Sequence, residues 1–331
     1  MLHRVITLAW ETSSIPADWE LSVIVPIFKK GDNRECSNHR GISLLSVPGK
    51  IYSRILERRL RSQVETKLLE SQCGFRPNRG TQDAIFIVRQ IAERTIEYGK
   101  DAHMCFIDIE KAFDWVPWQS IWKALDSFQV PKELATRIKS FYKICRNEVR
   151  TGHSTSSQFL TNSGVRQGDI LSPLLFTLVM DSALKNCAGF KNFQVGNWKM
   201  RQVVVNSLAY ADDVMLVADS AEKLQHNLNL LSRALDAVGL KLSLTKSKTM
   251  VISRQPKRHQ VLLNEHALEQ VQSFTYLGVW ISENGKLRDE FNARIASASR
   301  MMGAINSKFL NKKEVGVPTK LAVYRTTYVP I

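Results

Sequence analysis

Val203-Val204-Val205 and, a few residues on, Tyr210-Ala211-Asp212-Asp213-Val214-Met215-Leu216-Val217-Ala218 set two adjacent carboxylates between apolar runs. Both runs are rich in β-branched residues, so the segment reads as strand, tight turn, strand with antiparallel pairing. Asp is an ordinary turn residue, because its side chain can bond its own backbone. Taken alone, Asp212-Asp213 is a hairpin tip. It becomes a site only if the rest of the chain supplies partners that a hairpin tip does not need.

One partner lies upstream. Met104-Cys105-Phe106-Ile107-Asp108-Ile109 reads as a buried strand ending in an acid, compatible with a neighbouring antiparallel strand in the same sheet. Three carboxylates converging there would repel one another and rise in pKa unless a cation intervenes. Hard divalent cations such as Mg²⁺, with Mn²⁺ as a substitute, suit an all-oxygen site that also holds phosphate. Two such ions about 3.5–4 Å apart can activate an attacking hydroxyl and stabilise a leaving pyrophosphate. Between the acids runs Ser163-Gly164-Val165-Arg166-Gln167-Gly168-Asp169-Ile170-Leu171-Ser172-Pro173. Its glycines allow close backbone approach by a ligand, and the helix start adds donors. Ser172 is expected to cap that helix, with Pro173 in its first turn.

Composition fits a polyanion partner. Lys plus Arg number 46 against 31 for Asp plus Glu, a net of +15, in a 331-residue chain that is 44% hydrophobic. That length allows one large unit or two to three domains. Lys50, Arg54, Arg58, Arg59 and Arg61 stand against Glu57 alone within residues 50–61, and residues 286–331 are also strongly basic. Clusters of this kind suit phosphate contacts, although a basic, soluble surface is the plain alternative. Cys36, Cys73, Cys105, Cys145 and Cys187 are odd in number and far apart, which argues against a disulfide framework or a zinc knuckle. No run approaches the roughly 18 apolar residues of a membrane span, so no membrane partner and an intracellular, nuclear or cytoplasmic setting are expected.

Along the chain, residues 19–28 read as a strand, and residues 47–70 as a helix through Ile51, Ile55, Leu56, Leu60, Val64 and Leu68. Further helices are expected over residues 81–98, 118–128 and 131–146, from Ser172 through Leu184, and over 221–238. Residues 274–280 return to strand, and a basic helical region starts near 286. Strands and helices in this order, with antiparallel pairing, indicate an α+β fold rather than a doubly wound sheet.

Ordered blocks now carry a resemblance. They are Ile24-Val25-Pro26-Ile27-Phe28-Lys29-Lys30-Gly31-Asp32, His39-Arg40-Gly41-Ile42-Ser43-Leu44-Leu45, Gln72-Cys73-Gly74-Phe75-Arg76, and Ile107-Asp108-Ile109-Glu110-Lys111-Ala112-Phe113-Asp114. Val165-Arg166-Gln167-Gly168-Asp169, Tyr210-Ala211-Asp212-Asp213, Lys246 and Tyr276-Leu277-Gly278 follow. From about residue 19 to about residue 310 the chain resembles the reverse transcriptase domain of non-LTR (LINE-type) retrotransposons. The resemblance implies a right-hand polymerase with fingers, an antiparallel-sheet palm and a partial helical thumb. Its implied division is an N-terminal extension and fingers over 1–100, a palm over 101–285 with a fingers-side insertion around 115–165, and a truncated thumb over 286–331.

Carried over position by position, Asp108 and Asp212 hold two metal ions, Asp213 supports them, and the Ile109 carbonyl faces metal or triphosphate. Phe113 matches the steric gate that crowds a 2′-hydroxyl; without the resemblance it reads as a plain core aromatic. Gln167 and Gly168 match the loop against the incoming nucleotide. Arg40 matches a triphosphate-binding position, and Lys246 a basic residue beside the pyrophosphate, alternatively a surface lysine. Tyr276, Leu277 and Gly278 match the primer grip, and Arg76 and Arg79 are expected to touch template or triphosphate.

The implied partners are an RNA template, a DNA primer and deoxynucleoside triphosphates, with the protein a monomer. Trp118 departs from the pattern, standing where many relatives carry Arg after Val116-Pro117. The full-length family protein usually carries a nicking endonuclease before this domain. The chain is therefore expected to be an isolated domain or a degraded copy. The competing reading is an inactive nucleic-acid-binding relic, or a domesticated or maturase-like factor.

Overall fold

The computed structural model describes residues 1–195, 203–286 and 288–328. Of the region expected to form the start of a thumb, Leu287 and residues 329–331 lie outside the described residues. Among the described residues no helix is long and apolar enough to cross a membrane.

Helices α1 (Leu2–Thr12) and α2 (Ala17–Glu20) lead into β1 (Leu21–Phe28). This strand pairs antiparallel with β2 (His39–Leu45), in register from Ser22↔Leu45 to Phe28↔His39. The basic turn Lys29-Lys30-Gly31-Asp32 starts the excursion between them, and Gly31 takes φ 93, a left-handed conformation that glycine adopts without a Cβ penalty. Strand β4 (Arg146–Thr151) adds parallel to β1, and the short β5 (Ser154–Thr155) and β6 (Phe159–Leu160) pair with β4.

Helix α3 (Val47–Val64) starts where Ser46 Oγ accepts a hydrogen bond from Gly49 N at 3.2 Å. It buries Tyr52, Leu56, Leu60 and Val64, a strict four-residue spacing on one face. Ile51, expected in that face, is 39% exposed, because Tyr52 takes the inward position beside Trp19. Arg54 and Arg58 point outward. Helix α4 (Thr81–Glu97) buries Ala84, Val88, Ile91 and Ala92.

The second sheet has the order β14–β11–β3–β10–β9. Its strands are Glu269–Gln270 (β14), Lys248–Ile252 (β11), Ala102–Ile107 (β3), Asp213–Ala218 (β10) and Ser207–Tyr210 (β9). All pairs are antiparallel except the β11–β14 edge. Side-chain alternation splits the sheet between two cores. Cys105, Ile107, Val214 and Leu216 face a core that includes α6 (Trp118–Ser127), α7 (Lys132–Tyr142), α8 (Ser172–Lys185) and α9 (Ala221–Ala237). Met104, Phe106, Met215 and Val217 face α4 and the hairpin of β15 (Ser273–Tyr276) with β16 (Val279–Ser282). Strands buried on both faces read as unbroken apolar runs, which is why β3 and β10 are legible in the sequence.

Two local expectations are corrected. The Val203–Val205 run is a separate strand, β8, paired with β7 (Phe193–Val195); the acid-bearing hairpin uses Ser207–Tyr210 instead. Ser172 is not the cap of α8: the cap position is Leu171, with no side-chain cap bond, and the buried Ser172 hydroxyl lies 3.2 Å from that of Tyr142. Nearly every side chain of α8 is buried, so its N-terminus docks against protein on all sides and tertiary contact replaces local capping. The hairpin β12 (Leu262–Leu263) and β13 (His266–Ala267) precedes β14, and α10 (Arg288–Ile305) and α11 (Val317–Val323) follow the second sheet.

Candidate active site

Asp108 follows β3 directly and Asp213 opens β10. Extending the register Ile107↔Val214 by one step sets the two acids opposite each other. Asp212 occupies the two-residue turn between β9 and β10, next to Ala211, which takes φ 60. A Cβ-bearing residue in that left-handed region costs roughly 1–2 kcal/mol, so the turn is held by its surroundings rather than by its own preference. The three expected acids thus gather at one end of strands β3 and β10.

Backbone bonds fix Asp108. Ser247 Oγ accepts from its N–H at 3.3 Å, and its carbonyl accepts from Ser243 N at 2.9 Å. Glu110 N donates to Lys241 O at 2.9 Å, completing the antiparallel bridge Ile109↔Leu242 through its neighbours. The Ile109 carbonyl takes no part in that bridge. The Ile109 side chain is buried in the helix-side core.

Electrostatics at the three acids are unbalanced. Burial first, then the charge of Asp108, raises the Asp212 carboxyl, while Arg40 and Lys246 pull it down. Dry surroundings first, then the charges of Asp212 and Asp108, push Asp213 up to about 6. Asp213 itself reaches the surface, so solvent moderates that burial effect. Lys246 Nζ donates to Asp108 Oδ2 at 3.2 Å, with both side chains partly open to water. Among the described residues no group of three or more His, Cys, Asp or Glu side chains forms a closed metal-ligand set. The donor chemistry nevertheless fits a hard cation: the site offers carboxylate oxygens whose mutual repulsion a divalent ion relieves.

The remaining expected residues divide into those that gather at the acids and those that do not. Arg40, exposed on β2, is close enough for its charge to act on Asp212. The Gln167–Gly168 loop docks on the same strand, with Ser43 N donating to Gln167 O at 2.7 Å. Gly168 has φ 112, and a Cβ there would sit 2.8 Å from Ser43 O. Gln167 Nε2 donates to Asp114 Oδ1 at 2.7 Å, next to Phe113 on the short helix α5 (Ala112–Trp115). Phe113 is half-buried, stacked on Phe176 at 4.7 Å and edge-on to Phe75 at 6.3 Å.

Tyr276 is buried beneath the hairpin and packs on Phe106, and Leu277 and Gly278 form its tip with φ 48 and 84. Positive φ at both central residues is the type I′ pattern of tight hairpins. A small recess lined by Asp108, Asp213, Lys246, Phe274 and Tyr276 separates hairpin from acids.

Arg76 and Arg79, expected at template or triphosphate, both have partners within the loop. The Arg76 side chain is 7% exposed, and Nε donates to Glu65 Oε1 at 2.8 Å while the other nitrogens bind the carbonyls of Glu65, Leu69 and Gln72. Arg79 pairs with Glu70 and donates to its carbonyl. Both guanidinium groups brace the loop, Arg76 from within and Arg79 with its side chain 27% exposed. Trp118 also has a structural task, its indole N–H donating to Gly164 O at 2.8 Å. Gln72, Phe75 and Asp114 all stand within the quoted blocks, but none was singled out as a candidate site residue, because block membership alone does not say which side chain turns toward the acids.

Comparison with known proteins adds to this geometry. A family profile described as reverse transcriptase (RNA-dependent DNA polymerase) matches residues 27–281. The chain is 29% identical over 298 residues to the Pol polyprotein of the Drosophila melanogaster retrotransposable element R2DM, covering 87% of this chain and 28% of that one. It is 30% identical over 223 residues to the Xenopus laevis transposon TX1 149 kDa protein, covering 67% of this chain and 17% of that one. It therefore spans under a third of the length of either relative. Apo telomerase from Candida tropicalis, truncated from its C-terminal domain, superposes with a TM-score of 0.54 at 12% identity, over 84% of this chain and 57% of that one. At that identity the likeness is one of fold.

Proposed function

Because the chain belongs to the reverse transcriptase (RNA-dependent DNA polymerase) family, among those of non-LTR retrotransposons, we propose that it extends a DNA primer on an RNA template. The observation that carries this reading is the convergence of Asp108, Asp212 and Asp213 at one end of β3 and β10, with Lys246 bonded to Asp108 and Arg40 near Asp212. Asp108, Asp212 and the Ile109 carbonyl would hold Mg²⁺, or Mn²⁺ in its stead, and Asp213 would support them. Two ions bound there supply Lewis-acid activation of the primer 3′-hydroxyl and stabilise the departing pyrophosphate.

The chain's own residues supply the rest. Arg40 binds triphosphate oxygens through its planar donors. The Gln167–Gly168 loop lies against the incoming nucleotide, and the Phe113 ring rejects a 2′-hydroxyl. Lys246, whose Nζ reaches Asp108 Oδ2 at 3.2 Å, would donate a proton to the departing pyrophosphate. The Tyr276-Leu277-Gly278 hairpin tip holds the primer strand. Supporting the division of labour, the β1–β2 sheet carries Arg40 while the β3–β10 sheet carries the acids. We accordingly assign residues 1–100 with the 115–165 insertion to fingers, 101–285 to palm and 286–331 to the thumb start.

Primer extension with wild type and Asp212→Ala tests the reading. The expected result is Mg²⁺-dependent extension by wild type and none by the variant, with binding of the RNA–DNA duplex retained. Wild-type protein that extends no primer across salt and metal conditions would overturn it in favour of a binding-only role.

A further inference from the structure

The acid-bearing turn is gripped from outside the sheet. Strand β9 is an edge strand, and the segment Ser71–Gly74 lies along it. Ala209 N donates to Ser71 O at 2.9 Å, and Cys73 N donates to Ala209 O at 2.8 Å. Where this backbone ladder stops, the fully buried Gln72 side chain continues it. Its Oε1 accepts from Gly74 N at 2.9 Å and from Ala211 N at 3.3 Å. Ala211 is the residue whose φ of 60 turns the chain toward Asp212.

Glycine is required opposite. A Cβ at Gly74 would fall 2.2 Å from Ala211 N and 2.9 Å from the Tyr210 carbonyl carbon, so the two backbones are in direct contact. The clamp is itself anchored: Arg76 donates to the Gln72 and Leu69 carbonyls, and Leu69 N donates to Asp181 Oδ1 on α8 at 2.8 Å.

We infer that Gln72 is a positioning residue, which acts through the backbone of Ala211 and Gly74 to fix where Asp212 and Asp213 stand. The inference rests on reading those acids as metal ligands. A turn with an L-residue at positive φ has no intrinsic reason to hold this shape, and the Gln72 oxygen supplies one. Displacement of a supporting contact commonly weakens metal affinity by about 10- to 100-fold, and a misplacement near 1 Å costs about 100-fold in rate. The Gln72 amide nitrogen makes no hydrogen bond, so only its oxygen is engaged. Gln72→Met therefore keeps the length and removes the acceptor, whereas Gln72→Glu keeps an acceptor.

The test is Mn²⁺ binding to the full chain, followed by electron paramagnetic resonance, with Asp212→Ala as the reference for loss. Gln72→Met and Gly74→Ala should weaken Mn²⁺ binding by about 10-fold and slow extension by about 100-fold, with nucleotide KM and duplex Kd within about twofold of wild type. Gln72→Glu should recover most of the binding. Wild-type-like Mn²⁺ binding by Gln72→Met overturns the inference, whatever its melting temperature. So does a loss in Gln72→Glu equal to that in Gln72→Met, which assigns the effect to packing. Should Gln72→Met fail to fold, unchanged binding by Gly74→Ala overturns it equally. Wild type that binds Mn²⁺ but extends no primer defeats the polymerase reading and leaves the positioning inference to the binding data.

Discussion

Phe113 rests one face on the buried Phe176 and turns its edge toward Phe75, so its ring is braced on two sides. A braced ring can exclude a 2′-hydroxyl, because it does not swing away when a ribonucleotide enters. Phe113→Val should raise ribonucleotide incorporation relative to deoxynucleotide by about 10-fold or more, read from the ratio of kcat/KM values. Unchanged sugar discrimination would return Phe113 to the core. At this scale the acids were legible because Asp108 and Asp213 flank apolar strands and Asp212 sits in the turn beside one of them. Gln72 was not: a glutamine carries no periodic signal, and its task is set by a contact 139 positions away.

At the scale of elements, two contacts between distant segments invite tests. Asp181 on α8 is fully buried, accepting from Leu69 N and pairing with Lys185 Nζ at 2.9 Å. Asp181→Ala leaves a polar backbone group without its partner, costing about 1–3 kcal/mol, which urea denaturation will read. Loss of under half a kcal/mol (about the scatter of surface substitutions) would mean water replaces the carboxylate.

The second contact joins His103 on β3 to His259, with ring nitrogens 2.9 Å apart. One nitrogen must carry the proton and the other must lack it, so two imidazolium rings cannot coexist there. Burial first, then the charge of His103, pulls His259 down to about 4; burial also lowers His103, against Asp101, Glu222 and Asp219 and with Lys257. A base held below its unfolded value resists protons only while folded. The pair's contribution is therefore full above the ordinary histidine range and is lost as pH falls toward 4. Calorimetry should show Tm falling from pH 7 to pH 5, with a flatter slope in His259→Gln; equal slopes would acquit the pair. Helices α3 and α4 and strands β3 and β10 were legible from periodicity. The cap of α8 and the partner of Val203–Val205 were not, since docking chose both.

For the whole molecule, the net charge of +15 predicts association governed by counter-ion release. Affinity for an RNA–DNA duplex should fall by about 10³-fold or more between 50 and 200 mM salt. Replacing the exposed Lys29, Lys30 and Arg34 with Ala should lower the slope of log K against log salt by about 2–3. An unaltered slope would remove the β1–β2 turn from the nucleic-acid path. The basic clusters were plain in the sequence, but the partners of its arginines were not: Arg76 and Arg79 each pair with an acid within the protein.

The sequence by itself determined the family and the fold class. Carboxylates at strand ends, a glycine-flanked loop before a helix, basic helices and apolar periods of two and near four are local patterns, and local patterns survive in one dimension. Only the tertiary structure decided which strand pairs with the acid-bearing β10, which arginines are bound up within the chain, and what holds Asp212 in its turn. Those outcomes depend on buried contacts between segments far apart in the chain, where a hydrogen bond or a missing Cβ counts for more than any residue's own preference.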